Sequence, residues 1–302
     1  MLRRVLKYIR DNKLLQRGDK VLVCVSGGAD SVALLDVLRR GGMCCVIAHC
    51  NFHLRGEESN RDEAFVRELA GNDALHIAHF DTLSYAQECG ISIEMAAREL
   101  RYTWFAEIAQ KESCTAIAVA HHQNDQAETL LLNLKRGAGI RGLCGMRAKS
   151  SNPYEMPGEK SIVIIRPLLC TTRDYIEHYL RDIRKMRWIE DSTNADTSIK
   201  RNALREQLRS YGKAEIEHIA QTAERMQGYV DMLEGLNTPA AGRAKLYEEL
   251  KDYGFAEIDK IYDALQRGIG GKTFYSATHQ LTIRQRTYEV ERLKEENRGV
   301  KR

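Results

Sequence analysis

The apolar run Val21–Val25 stops abruptly at Ser26-Gly27-Gly28-Ala29-Asp30-Ser31, and a helical pattern follows. A turn between a strand and a helix leaves backbone N–H groups facing outward, where they can hold an anion. Two glycines let the backbone approach that anion closely and take φ > 0 without penalty. The loop lacks the lysine of G-x-x-x-x-G-K-[ST], which is aimed at a transferring γ-phosphate, and it is not G-x-G-x-x-G. It offers serine hydroxyls and one carboxylate, Asp30. On the glycines alone, a tight turn capped by serine remains the alternative.

A second cluster lies in AHHQNDQAETLLLNLKRGAGIRGLCGM, residues 120–146. Asp125 and Glu128 share one face at the start of a helix. Acidic residues in a first turn complement the helix dipole and need no other role. Set beside Asp30 at one edge of a sheet, however, they are placed to hold Mg²⁺ against phosphates. The following loop, Lys135–Lys149, has five basic residues, no acidic one and four glycines, so it is either a solvated loop or one that tracks a phosphate backbone through residues such as Arg136 and Arg141. Three further segments carry polar groups at suggestive spacing. HCNFHLRGEESNRDEAFV presents His49, His53 and Arg55; ARELRYTWF puts Arg98 and Arg101 at i, i+3; EDSTNADTSIKRNALR ends in Arg201, Asn202 and Arg205. Solvated side chains or a surface ridge account for each of these equally well on spacing alone.

The elements that must position these groups follow from the hydropathy pattern. Val21–Val25, Cys44–His49, Leu75–Phe80, Ala116–His121 and Ile162–Leu168 are near-continuous apolar runs, the pattern of parallel strands covered on both faces. Helices are expected over Ser31–Arg40, Glu63–Leu69, Ile93–Lys111 and Asp125–Leu134, with an amphipathic helix at the N-terminus. The fold class is therefore α/β, a doubly wound, mostly parallel sheet whose ligands bind at the carboxyl ends of the strands. Thr171–Lys185 is expected to be a helix opened by a Thr171/Asp174 capping box. Helical sequence then runs to about Gln266, and residues 272–293 suggest a β-hairpin. A boundary near residue 212 separates a larger domain, 1–212, from a smaller, mainly helical domain, 213–302.

These motifs carry a resemblance. Ser26–Ser31 is similar to the pyrophosphate loop of the PP-loop, or N-type, ATP pyrophosphatases, which have the adenine nucleotide alpha-hydrolase-like fold. That family grips the β,γ-pyrophosphate of ATP and cleaves between the α- and β-phosphates. Within it, H-x-x-D-Q-x-E-T followed by R-G-x-G-x-x-G-L, the segment from His49 to Val66, the A-R-x-x-R-Y segment and the R-N-x-x-R segment resemble the tRNA(Ile)-lysidine synthetases. The resemblance is dense over roughly residues 15–210 and general beyond. It implies ATP-dependent ligation of L-lysine to C2 of the wobble cytidine of CAU-anticodon tRNA(Ile), through an adenylylated cytidine, with AMP and pyrophosphate released. It assigns Ser26, Gly27, Gly28, Ala29, Asp30, Ser31 and His49 to ATP, with adenine near His49, and Asp30 and Asp125 to Mg²⁺. Asp125 would also orient or deprotonate the lysine, and Arg205 would stabilise the adenylyl intermediate. His53, Arg55, Arg98, Arg101, Glu128, Arg136, Arg141 and Arg201 would face the tRNA or lysine. Longer members continue past the position of Arg302 into a further domain that binds the acceptor end, so either a short form or part of a longer chain is in view.

Composition sets the remaining bounds. No apolar run approaches the ~20 residues of a membrane helix, and the charged N-terminus has no signal-peptide core, so a cytoplasmic protein is expected, with a homodimer left open. The net charge of +4 is too mild to indicate nucleic acid by itself. The eight cysteines include no C-x-x-C pair and are expected to be buried thiols. That absence counts against the nearest rival, a PP-loop tRNA cytidine thiolase that needs paired cysteines. A non-catalytic nucleotide- and RNA-binding module would be expected to have lost Asp125 or Glu128, and both are present.

Overall fold

A computed structural model of the chain describes residues 1–154, 161–190, 204, 208, 210–236 and 238–293. In chain order its first elements are α1 (Leu2–Asp11), β1 (Lys20–Cys24), α2 (Ala29–Arg40), β2 (Cys44–Asn51), α3 (Glu57–Ala70) and β3 (Ala74–His79). Next come α4 (Thr82–Cys89), α5 (Ile93–Lys111), β4 (Ala116–Ala118), α6 (Gln123–Lys135) and the short α7 (Ile140–Leu143). They are followed by β5 (Lys149–Ser151), β6 (Val163–Ile165), α8 (Arg173–His178) and α9 (Lys213–Leu233). Two compact units divide the chain: residues 1–136 with 145–220, and 137–144 with 221–302.

In the first unit the strands form one sheet in the order β3-β2-β1-β4-β6-β5, parallel except for the antiparallel edge strand β5. Strand order reverses between β1 and β4, so the carboxyl ends of these two strands form the switch point where α/β sheets bind ligands. The apolar runs are continuous because each strand packs on both faces. Val21, Val23 and Val25 join one core with Val32, Leu35 and Leu38 of α2, whereas Leu22 joins the opposite core with Tyr102, Phe105 and Ala109 of α5. Ile47 against Val46, and Ala118 against Ile117, alternate in the same way.

Several expected boundaries differ from the observed ones, each for a local reason. The run from Ala116 to His121 pairs as a strand only to Ala118, keeps one further bond to β6 from Val119 N–H to Ile165 O (3.0 Å), and then turns into α6. The strand expected to reach Leu168 stops at Ile165, and Pro167, which has no N–H to give a ladder, opens a 3₁₀ turn over Pro167–Cys170. Helix α3 starts six residues before the expected Glu63, in a polar stretch with no apolar periodicity. The Thr171/Asp174 capping box does not form. Thr172 is the N-cap and makes no side-chain cap bond; the N–H of Arg173 instead donates to Asn124 Oδ1 of α6 (3.0 Å). The expected single helix to Lys185 becomes α8 followed by a π-helical turn, Tyr179–Arg184. That turn brings Tyr179 Oη (2.5 Å) and Arg184 onto buried Asp36 of α2, which fixes the segment against the core. Cys44 and Cys89 are exposed, contrary to the expectation of buried thiols; the other six are buried or half-buried.

The second unit contains α10 (Pro239–Leu250), α11 (Ile258–Arg267) and an antiparallel meander β7 (Thr273–Tyr275), β8 (His279–Arg284) and β9 (Thr287–Arg292). Leu246, Leu250, Phe255, Ile261, Phe274, Leu281 and Ile283 make its core. The C-terminal hairpin expected from sequence is thus two strands of a three-stranded sheet. The division between units falls inside α9, and residues 137–144 of the basic loop group with the second unit. Among the described residues, no helix is long and apolar enough to cross a membrane.

Candidate active site

The glycine loop is closed on itself. Ser31 Oγ donates to Gly28 O (2.9 Å) and accepts from Ser26 N–H (3.2 Å). Gly27 sits at φ +92°, a region that favours glycine, and an added Cβ would stand 3.1 Å from Ile189 Cδ1. Ile189 N–H in turn donates to Gly27 O (2.9 Å), so the segment after the π-turn lies along the loop. Gly28 is the N-cap of α2 and supplies no side-chain cap, which leaves the helix N-terminus available for an anion.

A cavity of about 550 Å³ opens beside this loop. Of the sequence-expected residues, Ser26, Gly28, Asp30, Arg55, Asp125 and Glu128 line it. Ala29 and Ser31 are buried behind it. Asp30 pairs with Arg173 Nη1, while Arg173 Nε is held by Glu177 Oε1 at 2.8 Å. The ring of buried His122 lies between two carboxylates: Nε2 is 3.5 Å from Asp30 Oδ1, and Nδ1 is 3.5 Å from Asp125 Oδ2. Burial opposes a charge on this imidazole, but the carboxylates of Asp125 and Asp30 outweigh it and raise its pKa to about 8. Asp125 Oδ2 also accepts the N–H of His122 (3.0 Å), so the same carboxylate caps its own helix. Among the described residues, three buried polar atoms at the cavity have no hydrogen-bond partner: Asp30 Oδ1, His122 Nδ1 and Thr172 Oγ1.

Other expected residues lie elsewhere. His49 is buried, with Nδ1 2.8 Å from Val25 O and its unpartnered Nε2 also buried; it does not line the cavity. Burial lowers its pKa. His53 lines a separate shallow cavity. Arg98 and Arg101 lie over the rings of Tyr102 (5.1 Å) and Phe52 (5.0 Å). Arg136 caps the end of α6, exposed, and Arg141 belongs to the second unit, where it pairs with Glu234 (2.9 Å). Arg201, Asn202 and Arg205 lie outside the described residues. Sequence reasoning missed Arg173, Glu177, Asp174 and Asn124. For the first three the only signal was TTRDYIEH following an apolar run, which reads as an ordinary capped helix, while Asn124 stands near the opening of α6. It also passed over His122, which stands in the quoted AHHQND segment.

A strand-loop-helix that closes on itself at the switch point of a parallel sheet, with carboxylates and an arginine beside it, defines a domain built to bind nucleotide phosphates. The chain belongs to the PP-loop family: the model of the PP-loop domain matches residues 1–232. A second model, the TilS substrate binding domain, matches residues 229–288. The curated relatives it resembles are tRNA(Ile)-lysidine synthases. That of Bacteroides thetaiotaomicron is 52% identical over 204 residues, which cover 67% of this chain and 45% of the relative. That of Porphyromonas gingivalis W83 is 49% identical over 232 residues, covering 74% and 49%. The more distant enzyme of Chlorobaculum tepidum is 41% identical, covering 68% and 60%. The chain spans about half the length of the first two of these relatives. Among solved structures, the U34-tRNA thiolase NcsA from Methanococcus maripaludis with its [4Fe-4S] cluster has the same fold, with a TM-score of 0.56 and 15% identity, over 78% of this chain and 81% of that one.

Proposed function

We propose that this chain carries the tRNA(Ile)-lysidine synthase reaction: ATP adenylylates O2 of the wobble cytidine of a CAU-anticodon tRNA, and free L-lysine then displaces AMP at C2. The observation that carries this reading is the meeting, in one cavity, of the self-closed SGGADS loop with Asp30, Arg173, His122, Asp125 and Glu128. Cytosine C2 is a poor electrophile until its oxygen becomes a leaving group. Adenylylation makes it one, and a loop that grips pyrophosphate favours departure of the same β,γ unit that adenylylation releases.

Mg²⁺ fits the donor set. Among the described residues, Asp30 Oδ1 is a buried carboxylate oxygen without a hydrogen-bond partner, and Asp125 lies across His122 from it. Mg²⁺ is commonly held by one or two carboxylates, keeping its other positions for water and substrate phosphates. When bound, it would neutralise charge on the departing pyrophosphate. The α2 N-terminus and the loop N–H groups hold that pyrophosphate. Arg173, anchored through Nε by Glu177 at the cavity wall, has further N–H groups that would meet phosphate oxygens there. His122 fixes the spacing of the two carboxylates. Glu128, buried at the cavity wall, and Asp125 receive the lysine ammonium, and Asp125 takes its proton, since only the neutral amine attacks. Arg205 is kept as the residue that steadies the adenylyl intermediate, on resemblance. Such an enzyme acts in the cytoplasm, where its tRNA is.

The tRNA cytidine thiolase alternative lacks support from the sequence, which has no C-x-x-C pair. The test is direct. A CAU-anticodon transcript incubated with the protein, ATP and lysine should yield lysidine by nucleoside mass spectrometry, with AMP from α-labelled ATP and pyrophosphate from γ-labelled ATP. ADP and orthophosphate as primary products would overturn the assignment of the loop.

A further inference from the structure

The shallow cavity beside the ends of β2 and β3, about 400 Å³, takes no part in the chemistry above. Asn51 and His79 are register partners at the ends of these strands, so the two chains leave the sheet side by side at its carboxyl edge, the same edge as the glycine loop. Their rings pair off. Phe52 and Phe80 stack at 5.6 Å and 26°, and His53 and His79 stack at 5.1 Å and 20°, with His79 Nδ1 3.1 Å from His53 Nε2. Arg101 covers Phe52, and Trp104 meets Phe80 edge-on. Both histidines are exposed, as are the flanking Leu54 and Leu83.

This arrangement is held at a cost. His53 has φ +52°, a left-handed conformation that disfavours a side chain. Buried Asn51 keeps it there: its Oδ1 accepts His53 N–H (3.1 Å) and its Nδ2 donates to Glu63 (3.0 Å). Strain of this kind persists where the surroundings over-determine it, commonly at ligand sites. The carboxylate in the cavity, Asp81, is engaged in capping α4 through Ser84 N–H (3.1 Å) and Ser84 Oγ (2.7 Å). What the cavity offers a ligand is therefore the exposed rings of His53 and His79 beside the Phe52–Phe80 pair, whose Phe52 ring Arg101 already covers.

We propose that this cavity is a stacking site for an unpaired nucleobase of the RNA substrate, a neighbour of the base that enters the phosphate cavity. The inference rests on the proposed function, because a loop that delivers one base to the glycine loop must lay its neighbours on adjacent surface. Every base has a π-face, so exposed rings can hold it without reading its identity.

The test uses the full chain and a CAU-anticodon stem-loop carrying 2-aminopurine at successive loop positions outside the wobble base, without ATP or lysine. One position should lose fluorescence on binding. In His53→Ala/His79→Ala that quenching should vanish, and affinity for the RNA should fall roughly tenfold or more. His53→Gly accepts the positive φ and removes only one ring; it should weaken the RNA in the same direction with an unchanged melting curve. ATP affinity, measured by calorimetry without RNA, should be unaffected in both variants. Unchanged quenching and RNA affinity would overturn the proposal. So would loss of ATP affinity with RNA binding retained, which would place the nucleotide's adenine here. Absence of lysidine formation by the unmodified chain would instead count against the proposed function, and the stacking result would still be read.

Discussion

Replacing His122 with glutamine should remove a block of pH-dependent stability from the first unit. The imidazole is buried between Asp30 and Asp125, and its pKa is raised from an ordinary 6.5 to about 8. A raised pKa means the folded state binds the proton more tightly than the unfolded chain. The stabilisation is therefore complete below pH 6.5 and is lost as pH rises through 8. At 1.36 kcal/mol per unit, the gap of about 1.5 units is worth about 2 kcal/mol. The side chain is only 8% exposed, so solvent screens little of this. The assay is urea unfolding of chelator-treated, nucleotide-free protein at pH 6 and pH 9, followed by the fluorescence of Trp104 and Trp188, both in the first unit. Subtracting the His122→Gln curve cancels other titrating groups, and the native protein should lose about 2 kcal/mol more than the variant between the two pH values. Asp30→Asn should shrink the difference, since it removes one of the two charges that hold the imidazolium. Parallel pH profiles for native and variant protein, or a His122 resonance titrating at or below 6.5, would refute the account of the site as a cation held between two carboxylates.

Four other outcomes are expected. Asp125→Asn keeps an acceptor for the His122 N–H and should leave the melting curve nearly intact while abolishing lysidine formation; near-normal turnover would sink its assigned role. Arg173→Met should weaken binding of Mg²⁺-pyrophosphate about tenfold or more in calorimetry, the loss expected for charge-assisted hydrogen bonds, and unchanged affinity would remove Arg173 from the phosphate site. Asp36→Ala strips the partner from Arg184 and Tyr179 and should cost about 3 kcal/mol of stability in urea unfolding, a value near zero meaning that the π-turn is held by packing alone. Arg136→Ala with Arg141→Ala should flatten the slope of log K against log[salt] for tRNA binding by roughly 0.7–0.9 for each phosphate no longer neutralised, whereas an unchanged slope would mean the basic loop is merely solvated.

Some features of this protein are local and could be read from sequence. The double-sided burial of a parallel sheet leaves unbroken apolar runs, so the α/β class and all five parallel strands were legible. A positive-φ glycine between a strand and a helix is demanded by the turn itself, so Ser26–Ser31 could be recognised as an anion loop. That Asp30 and Asp125 stand at strand carboxyl ends was legible because the first turns of the helices after β1 and β4 hold them there, while Glu128 lies a turn further into α6. Strand β5 was not legible, because three polar residues on an edge carry no hydropathy signal. Nor was the break of the expected Thr171–Lys185 helix, since the cap comes from Asn124 and the π-turn from Asp36, 49 and 143 residues away in the chain. Arg173 became a site residue for the same reason: its spacing is that of any helical arginine, and only folding sets it against Asp30. The charge of His122 likewise depends on two carboxylates reached through separate strands. Local propensity and periodicity are properties of neighbours in sequence, whereas the electrostatics of the cavity belong to groups that only the sheet brings together.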